Sequence, residues 1–356
     1  KNIADTEDVD WHEALPLDTQ SATQDFLIRW KPRMLLIART DLWPELLYQC
    51  SQARVTSILF SASFSPKKQN SFWQKLWLDL VLPLLDEIHV ISSDDASFLD
   101  SQFNKKLKYY VTGDTRYDQA FARLASPRPL KTELKPPPGA AVLVAGSTWP
   151  EDEDILLAAT HELISTQHFS LIVAPHEPHE AHLKSLEMAI KALSLQSIRY
   201  SQANHWRGQE ILIVDKLGVL ADLYSWGPLA FVGGSFRKSV HSVMEPLASG
   251  AITFVGPHHQ NNREAMEFQT ITLSSDDQKK PTSGEVNDEK GPYPFKMNMV
   301  EVVSSSNQWK DRLSLWLKQG PKASVSRKQI AQAVQSKTGA SKKLLEHLKP
   351  KLSPQA

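Results

Sequence analysis

The sequence predicts an α/β fold of two Rossmann-like halves, each a parallel sheet covered by helices. Three observations predict it. Short apolar runs alternate with amphipathic stretches along most of the chain, a proline-dense break divides two such series, and several apolar runs end in glycine or hydroxyl residues ahead of the next helix. A length of 356 residues is too great for one ordinary core and comfortable for two domains.

In the first series, Asp18 and Ser21 offer caps to a helix holding Phe26, Leu27 and Trp30. Lys31-Pro32-Arg33 ends it, and Met34 to Ala38 reads as a buried strand. Pro44 starts a helix, Val55 to Phe60 is a strand, and residues 71–85 form a Trp-rich apolar helix. Ile88 to Ile91 and Tyr109 to Thr112 are strands on either side of a helix from Ser93 to Phe103.

Ser126 to Gly139, with Pro127, Pro129, Pro136, Pro137 and Pro138, is stiff and cannot join a sheet, so it reads as a linker. Strands are then expected at 141–145, 170–174, 210–214, 229–232 and 252–255. Helices are expected at 151–165, 180–193, 218–225, 240–248, 260–268 and 299–318. Residues 275–295 look like a polar surface insertion. The expected domains are 1–125, a linker at 126–139, 140–320, and a basic amphipathic tail at 321–356.

Composition excludes several classes. Hydrophobic residues make up 41% and charged residues 22%, an ordinary globular balance. Lys+Arg and Asp+Glu both number 40, which lacks the basic excess of a dedicated nucleic-acid binder. Cys50 is the only cysteine, so neither an internal disulfide nor a Cys-based zinc site can form, and a reducing cytoplasm suits the chain. No stretch approaches the roughly 18 apolar residues of a membrane span, and none reads as a signal peptide. The chain begins at Lys1 rather than Met, which suggests a start inside a longer gene product.

Chemistry is expected where strands end. Phe231-Val232-Gly233-Gly234-Ser235 runs from a strand into a glycine turn and then a helix carrying His241, Ser242 and Glu245. Glycines admit a ligand close to the backbone, a helix start offers amides to a phosphate, and Glu245 can accept two ribose hydroxyls. The plainer alternative is a tight turn and a solvated Glu. Ser147 and Thr148, after Gly146, are donors to a phosphate or simply caps for a helix starting at Pro150. His176 and His179 are three apart with Pro178 between them, which disfavours a metal pair; a phosphate contact and a cap are equally open. Gly218 has exposed amides that can read a base edge. Arg39 and Asp41 follow the first strand, as cleft-facing groups or as a salt bridge within a turn.

In order along the chain stand Leu15-Pro16-Leu17-Asp18, Thr40-Asp41-Leu42-Trp43-Pro44, Val111-Thr112-Gly113-Asp114-Thr115-Arg116-Tyr117-Asp118 and Ala145-Gly146-Ser147-Thr148-Trp149-Pro150-Glu151-Asp152. Ala174-Pro175-His176-Glu177, Phe231-Val232-Gly233-Gly234 and His241 to Pro246 follow. This ordered set, over nearly residues 15–265, resembles the 3-deoxy-D-manno-octulosonic acid (Kdo) transferases of lipopolysaccharide synthesis. The resemblance implies a GT-B-type glycosyltransferase, with the first domain incomplete. It implies inverting transfer of Kdo from CMP-Kdo to a lipid A precursor at the cytoplasmic face of the bacterial inner membrane, with no metal or organic cofactor. It implies donor-side roles for Ser147, Thr148, His176 (phosphate), Gly218 (cytosine), Gly233, Gly234, Ser235, His241, Ser242 and Glu245 (ribose), and acceptor-side positions for Arg39 and Asp41.

The chain departs from that pattern. Many members carry Glu at Arg39, Arg at His176, and Gly and Asn at Ser239 and Ser242. The family's catalytic carboxylate falls in a segment preceding Lys1, so no general base is named. A lipid acceptor needs a route to a membrane. Phe72, Trp73, Leu76, Trp77, Leu80 and Val81, with Lys67, Lys68 and Lys75, offer one, although packing of that helix on its own sheet is the expectation for most of these side chains. The tail lysines are expected on a solvated helix. Two further readings stand beside transfer of Kdo: another two-Rossmann sugar-nucleotide enzyme, such as an epimerase, and a non-catalytic nucleotide-binding relative.

Overall fold

A computed structural model describes residues 10–64, 72–103, 107–136, 140–166, 169–208, 210–274, 296–318 and 323–352. The expected insertion at 275–295, and Lys67, Lys68, Pro137 and Pro138, lie outside the described residues. The chain forms two compact units, Lys1–Asp118 with Lys337–Ala356, and Gln119–Ser336.

The first unit contains α1 (Gln20–Trp30), β1 (Met34–Ala38), α2 (Pro44–Gln52), β2 (Thr56–Ala62), α3 (Phe72–Val81), β3 (Glu87–Val90), α4 (Ser93–Phe103), β4 (Tyr109–Val111) and the start of α5 (Thr115–Ala125). Its four strands lie in the order β1-β2-β3-β4, all parallel. Leu47, Leu59, Leu82, Ile88 and Leu99 fill its core.

Two local expectations are corrected here. Asp18 does not cap α1; its carboxylate accepts the Glu45 and Leu46 amides at 3.2 and 2.9 Å and so caps α2. Pro44 has no N–H, so these are the first free donors of that helix. Nor is α3 packed away. Leu78 and Val81 are buried, but Phe72 is 73%, Trp73 75% and Leu80 65% exposed, with Leu76 and Trp77 also exposed. A helix that is apolar nearly all round gives its sheet one face and leaves the rest uncovered.

The second unit begins within α5. It continues with β5 (Val142–Thr148), α6 (Pro150–Ser165), β6 (Ser170–Pro175), α7 (Glu180–Ala192), β7 (Ser197–Arg199), β8 (Ile211–Ile213), α8 (Leu220–Leu223), β9 (Leu229–Val232), α9 (Met244–Ala248), β10 (Ile252–Val255) and α10 (Arg263–Phe268). An antiparallel pair, β11 (Thr272–Ser274) and β12 (Lys296–Asn298), precedes β13 (Val300–Val302), α11 (Ser306–Leu317) and α12 (Ala323–Gln335). The main sheet is parallel throughout, in the order β13-β10-β9-β5-β6-β8-β7. The chain winds outward from β5 on one side and then returns to lay β9 on the other. The β5/β9 junction is therefore the topological switch point, beyond whose carboxyl ends such sheets take ligands.

Residues 126–136 are not a free linker. Leu134 is fully buried in the second unit's core with Val142, Tyr200 and Trp226, and the Lys131 amide donates to the Tyr200 hydroxyl at 3.0 Å. The helix expected at 240–248 is shorter, starting at Met244, because turns occupy the chain after Gly233. Residues 299–318 begin as β13 before α11 forms.

The tail contains α13 (Ala340–Leu352), which packs in the first unit rather than standing in solvent. Asp118 accepts the Gly339 and Ser341 amides at 2.6 and 2.7 Å, and Leu344 and Leu348 cover Ile58, Met34 and Phe60. Gly113 lies so close to Ala340 that a Cβ there would stand 3.2 Å from the alanine's own. Lys342, Lys343 and Lys349 remain outside. Beneath the helix, His89 of β3 is fully buried, with its ring 5.2 Å from those of both Tyr110 and His347. Glu87, also on β3, pairs with Lys108 and with Lys351 of α13. Burial acts to raise the Glu87 carboxyl, but the two lysines hold it below the usual carboxylate range.

Candidate functional site

At the carboxyl end of β5 the ladder breaks, with a register shift between Gly146 and Thr148 and Ser147 in the left-handed region at φ 55°. For a residue with a Cβ that conformation costs about 1–2 kcal/mol. Its effect is to turn Ser147 toward the rim while Thr148 points inward. Ser147 is half-buried. Thr148 is fully buried, and its hydroxyl donates to Glu153 at 2.8 Å. Glu153 also takes His182 Nε2 at 3.0 Å, and His182 Nδ1 faces the Glu177 carbonyl at 3.2 Å. This buried chain of bonds ties the β5 turn, α6 and α7 to the loop that carries His176.

The glycine turn after β9 is satisfied from within. The Gly233 amide donates to the Gly146 carbonyl at 2.9 Å. The carboxylate of Asp152, on the first turn of α6, accepts the Gly234 amide at 2.7 Å, Phe236 at 3.2 Å and Trp149 at 3.0 Å. Burial pushes the Asp152 carboxyl up from its usual range, and the amide donors oppose that shift. Gly234 sits at φ 92°, where a Cβ would stand 2.3 Å from the Ser239 carbonyl oxygen, so the turn requires glycine. Ser235 is fully buried, and its hydroxyl accepts the Gly256 amide at 2.6 Å.

Above this turn three rings meet. Trp149 Nε1 donates to His241 Nε2 at 3.3 Å, which leaves the ring proton of neutral His241 on Nδ1. His176 and His241 stack with centroids 4.3 Å apart and planes 19° from parallel, and Trp149 lies 5.0 Å from His176. The Arg237 guanidinium covers Trp149 at 4.4 Å and reaches Glu151 at 3.8 Å. His176 and Arg237 are exposed, whereas His241 is half-buried. Burial, and then the neighbouring His176, push the His241 imidazole below its ordinary value. The loop bearing His241 is held by two asparagines. Asn261 exchanges hydrogen bonds with the Val240 backbone at 3.2 and 3.1 Å, and Asn262 donates to the His241 carbonyl at 2.9 Å while capping α10.

The remaining candidates lie around this group. Glu245 is half-buried on α9, and its charge, after burial, helps to raise the Tyr224 phenol. Ser242 is exposed, with its hydroxyl accepting the Met244 amide at 3.3 Å. The Gly218 carbonyl is taken by Arg123 at 3.1 Å and Arg128 at 3.2 Å, and both arginines also bond Asp222. His179 caps α7 through its Nδ1. In the first unit Arg39 and Asp41 are exposed just beyond β1, and the Arg39 amide extends the ladder to the Phe60 carbonyl at 2.8 Å. No ion pair joins them.

Geometry thus brings Ser147, His176, Gly233, Gly234 and His241 to one place, with Thr148 and Ser235 beneath it. The reading of the sequence missed Trp149, Asp152, Arg237, Asn261 and Asn262 as site residues. The Asn-Asn pair within the expected helix at 260–268, just ahead of where α10 starts, was the available signal for the last two. Among the described residues, no group of three or more His, Cys, Asp or Glu converges as a metal site, and no helix is long and apolar enough to cross a membrane.

A family model described as 3-deoxy-D-manno-octulosonic-acid transferase matches residues 2–119. A probable mitochondrial 3-deoxy-D-manno-octulosonic acid transferase of Arabidopsis thaliana is 28% identical over 263 residues, covering 69% of this chain and 57% of that protein. The 3-deoxy-D-manno-octulosonic acid transferase of Chlamydophila psittaci is 25% identical, covering 71% and 58%. The chain therefore spans somewhat more than half the length of these relatives. Among solved structures, the UDP-GlcNAc 2-epimerase of Neisseria meningitidis superposes with a TM-score of 0.60 at 17% identity, over 93% of this chain and 79% of that one, a likeness of fold alone. With a parallel-sheet α/β fold of GT-B type, the chain is thus similar to the Kdo transferases, by the family model over residues 2–119 and by these curated relatives over 69% and 71% of its length.

Proposed function

We propose that the protein moves Kdo from CMP-Kdo to a lipid A precursor, with inversion and without a metal ion, at the cytoplasmic face of a bacterial inner membrane. The observation that carries the donor half of this reading is the meeting of Trp149, His176 and His241 beyond the switch point of the second unit's sheet. In the proposed reaction an acceptor hydroxyl oxygen bonds to the anomeric carbon as the bond from that carbon to the CMP phosphate oxygen breaks. CMP leaves with the electron pair, and the hydroxyl proton passes to a carboxylate base. Negative charge grows on the phosphate, and the imidazoles and Arg237 stand where they can meet it in place of a metal. Ser147 and Glu245 serve the donor's sugar and ribose. Gly218 lies toward the base, and Arg39 and Asp41 belong to the acceptor side. The uncovered apolar face of α3 supplies the bilayer contact that a lipid acceptor requires.

The test has two arms. Calorimetric titration is expected to give binding by CMP and none by UMP or UDP at equal concentration. The full-length gene product is then expected to transfer labelled Kdo from CMP-Kdo to a lipid A precursor held in vesicles, and residues 1–356 alone to transfer poorly. Preference for UDP would turn the reading toward another sugar-nucleotide enzyme. CMP binding without transfer would favour a non-catalytic relative.

A further inference from the structure

Resting on that reading, we infer that the His176–His241 pair is a proton-coupled phosphate site, taking up a proton as the nucleotide's phosphate arrives. The first ground is elimination within the site. The glycine turn is the usual phosphate cradle of such a sheet, yet Asp152 already occupies its amides at 2.7 and 3.2 Å, and the Gly233 amide is bound to Gly146. A phosphate placed there would meet a buried carboxylate instead of free donors. The donors left at the rim are the Ser147 hydroxyl, the two imidazoles and Arg237, and of these only the imidazoles can change charge near pH 7.

The second ground is the stack itself. Two imidazoles 4.3 Å apart and 19° from parallel repel one another when both are charged, and after burial this neighbour holds the His241 imidazole below its ordinary value. The surroundings do not relieve that repulsion. Trp149 donates to His241 Nε2, and a proton arriving at that nitrogen must displace the indole N–H. Arg237 adds a positive charge over Trp149. The nearby carboxylates are engaged elsewhere: Glu151 with Arg237, Asp152 with three amides, Glu153 with His182. Glu177 is exposed, and the contact from the 257–262 loop is the neutral Asn262 amide on the His241 carbonyl. A phosphate dianion at the ring edges supplies the missing countercharge and makes the imidazolium form favourable.

Calorimetry of CMP binding at pH about 7, in two buffers of different ionisation enthalpy, measures the protons exchanged. Uptake of between about half and one proton per CMP is expected, since imidazole titrates in this range. The phosphate of CMP itself would release protons on binding as a dianion, so uptake reports the protein. Cytidine should show no uptake. His176→Arg, which carries a fixed charge, should hold CMP within about tenfold of the parent affinity with most of the uptake gone. Binding with equal heats in both buffers overturns the inference and leaves the proposed function standing. An Arg variant with undiminished uptake, or equal uptake with cytidine, also overturns it. No CMP heat in either buffer overturns both.

Discussion

Asp152 shows how one side chain settles where a ligand can go. Its buried carboxylate joins the β5 turn to the β9 turn through three backbone amides. Removing it leaves those donors facing a void, so Asp152→Ala should lower stability by about 2–4 kcal/mol, read from chemical denaturation. A change below about 0.5 kcal/mol would mean that the two turns are held by something else. The sequence made the strand ends and glycines visible, because glycine after an apolar run has few other uses. It could not show that a residue of the neighbouring helix fills the turn, since Asp152 and Gly234 are brought together only by the pairing of β5 with β9. Thr148 carries the same lesson. Its hydroxyl looked available, but the bulge at Ser147 turns it inward onto Glu153.

At the scale of elements, most segments were legible, among them strands as short as β4 and β8, and the misses were short ones without their apolar runs. α4, α6 and α7 fall where apolar spacing put them, whereas β7 and β13, three residues each, carry too little pattern to be seen. α13 looked like a solvated basic helix because its lysines outnumber its two core leucines. Its docking on β3 makes acid an element-level probe. Burial, followed by the nearby His347, pushes His89 down to about 4, below the ordinary imidazole value near 6.5. The native state therefore holds this proton less readily than the unfolded chain between those two values. Stability rises with pH across that window and is lost as pH falls through it, by up to about 3 kcal/mol. Hydrogen exchange should show α13 losing protection between about pH 6.5 and 4. In His89→Phe that loss should shrink, leaving what remains to Glu87 below about pH 4.5. An unchanged profile in this variant would remove His89 from the account.

At the scale of the molecule, the two-sheet plan was readable from alternation and length, but the path of the chain was not. Sequence composition placed the break at 126–139, while packing divides the chain at Asp118 and again at Ser336. The family match to residues 2–119 ends close to the first of these. Prolines mark where a chain is stiff, and Leu134 shows that a stiff segment can still be core. A chain stopped after Ser336 should keep the second unit's sheet and, with it, the proposed binding of CMP. Its first unit, stripped of α13, should melt earlier and bind a hydrophobic dye. Equal melting of the two forms would mean that the helix is dispensable. The motif from Gly113 to Asp118 meets its partner, Gly339 to Ser341, more than two hundred residues later. During synthesis, the early unit must wait on the ribosome with one flank of its sheet bare until those two hundred further residues have been made. That interval is when a chaperone would be needed most.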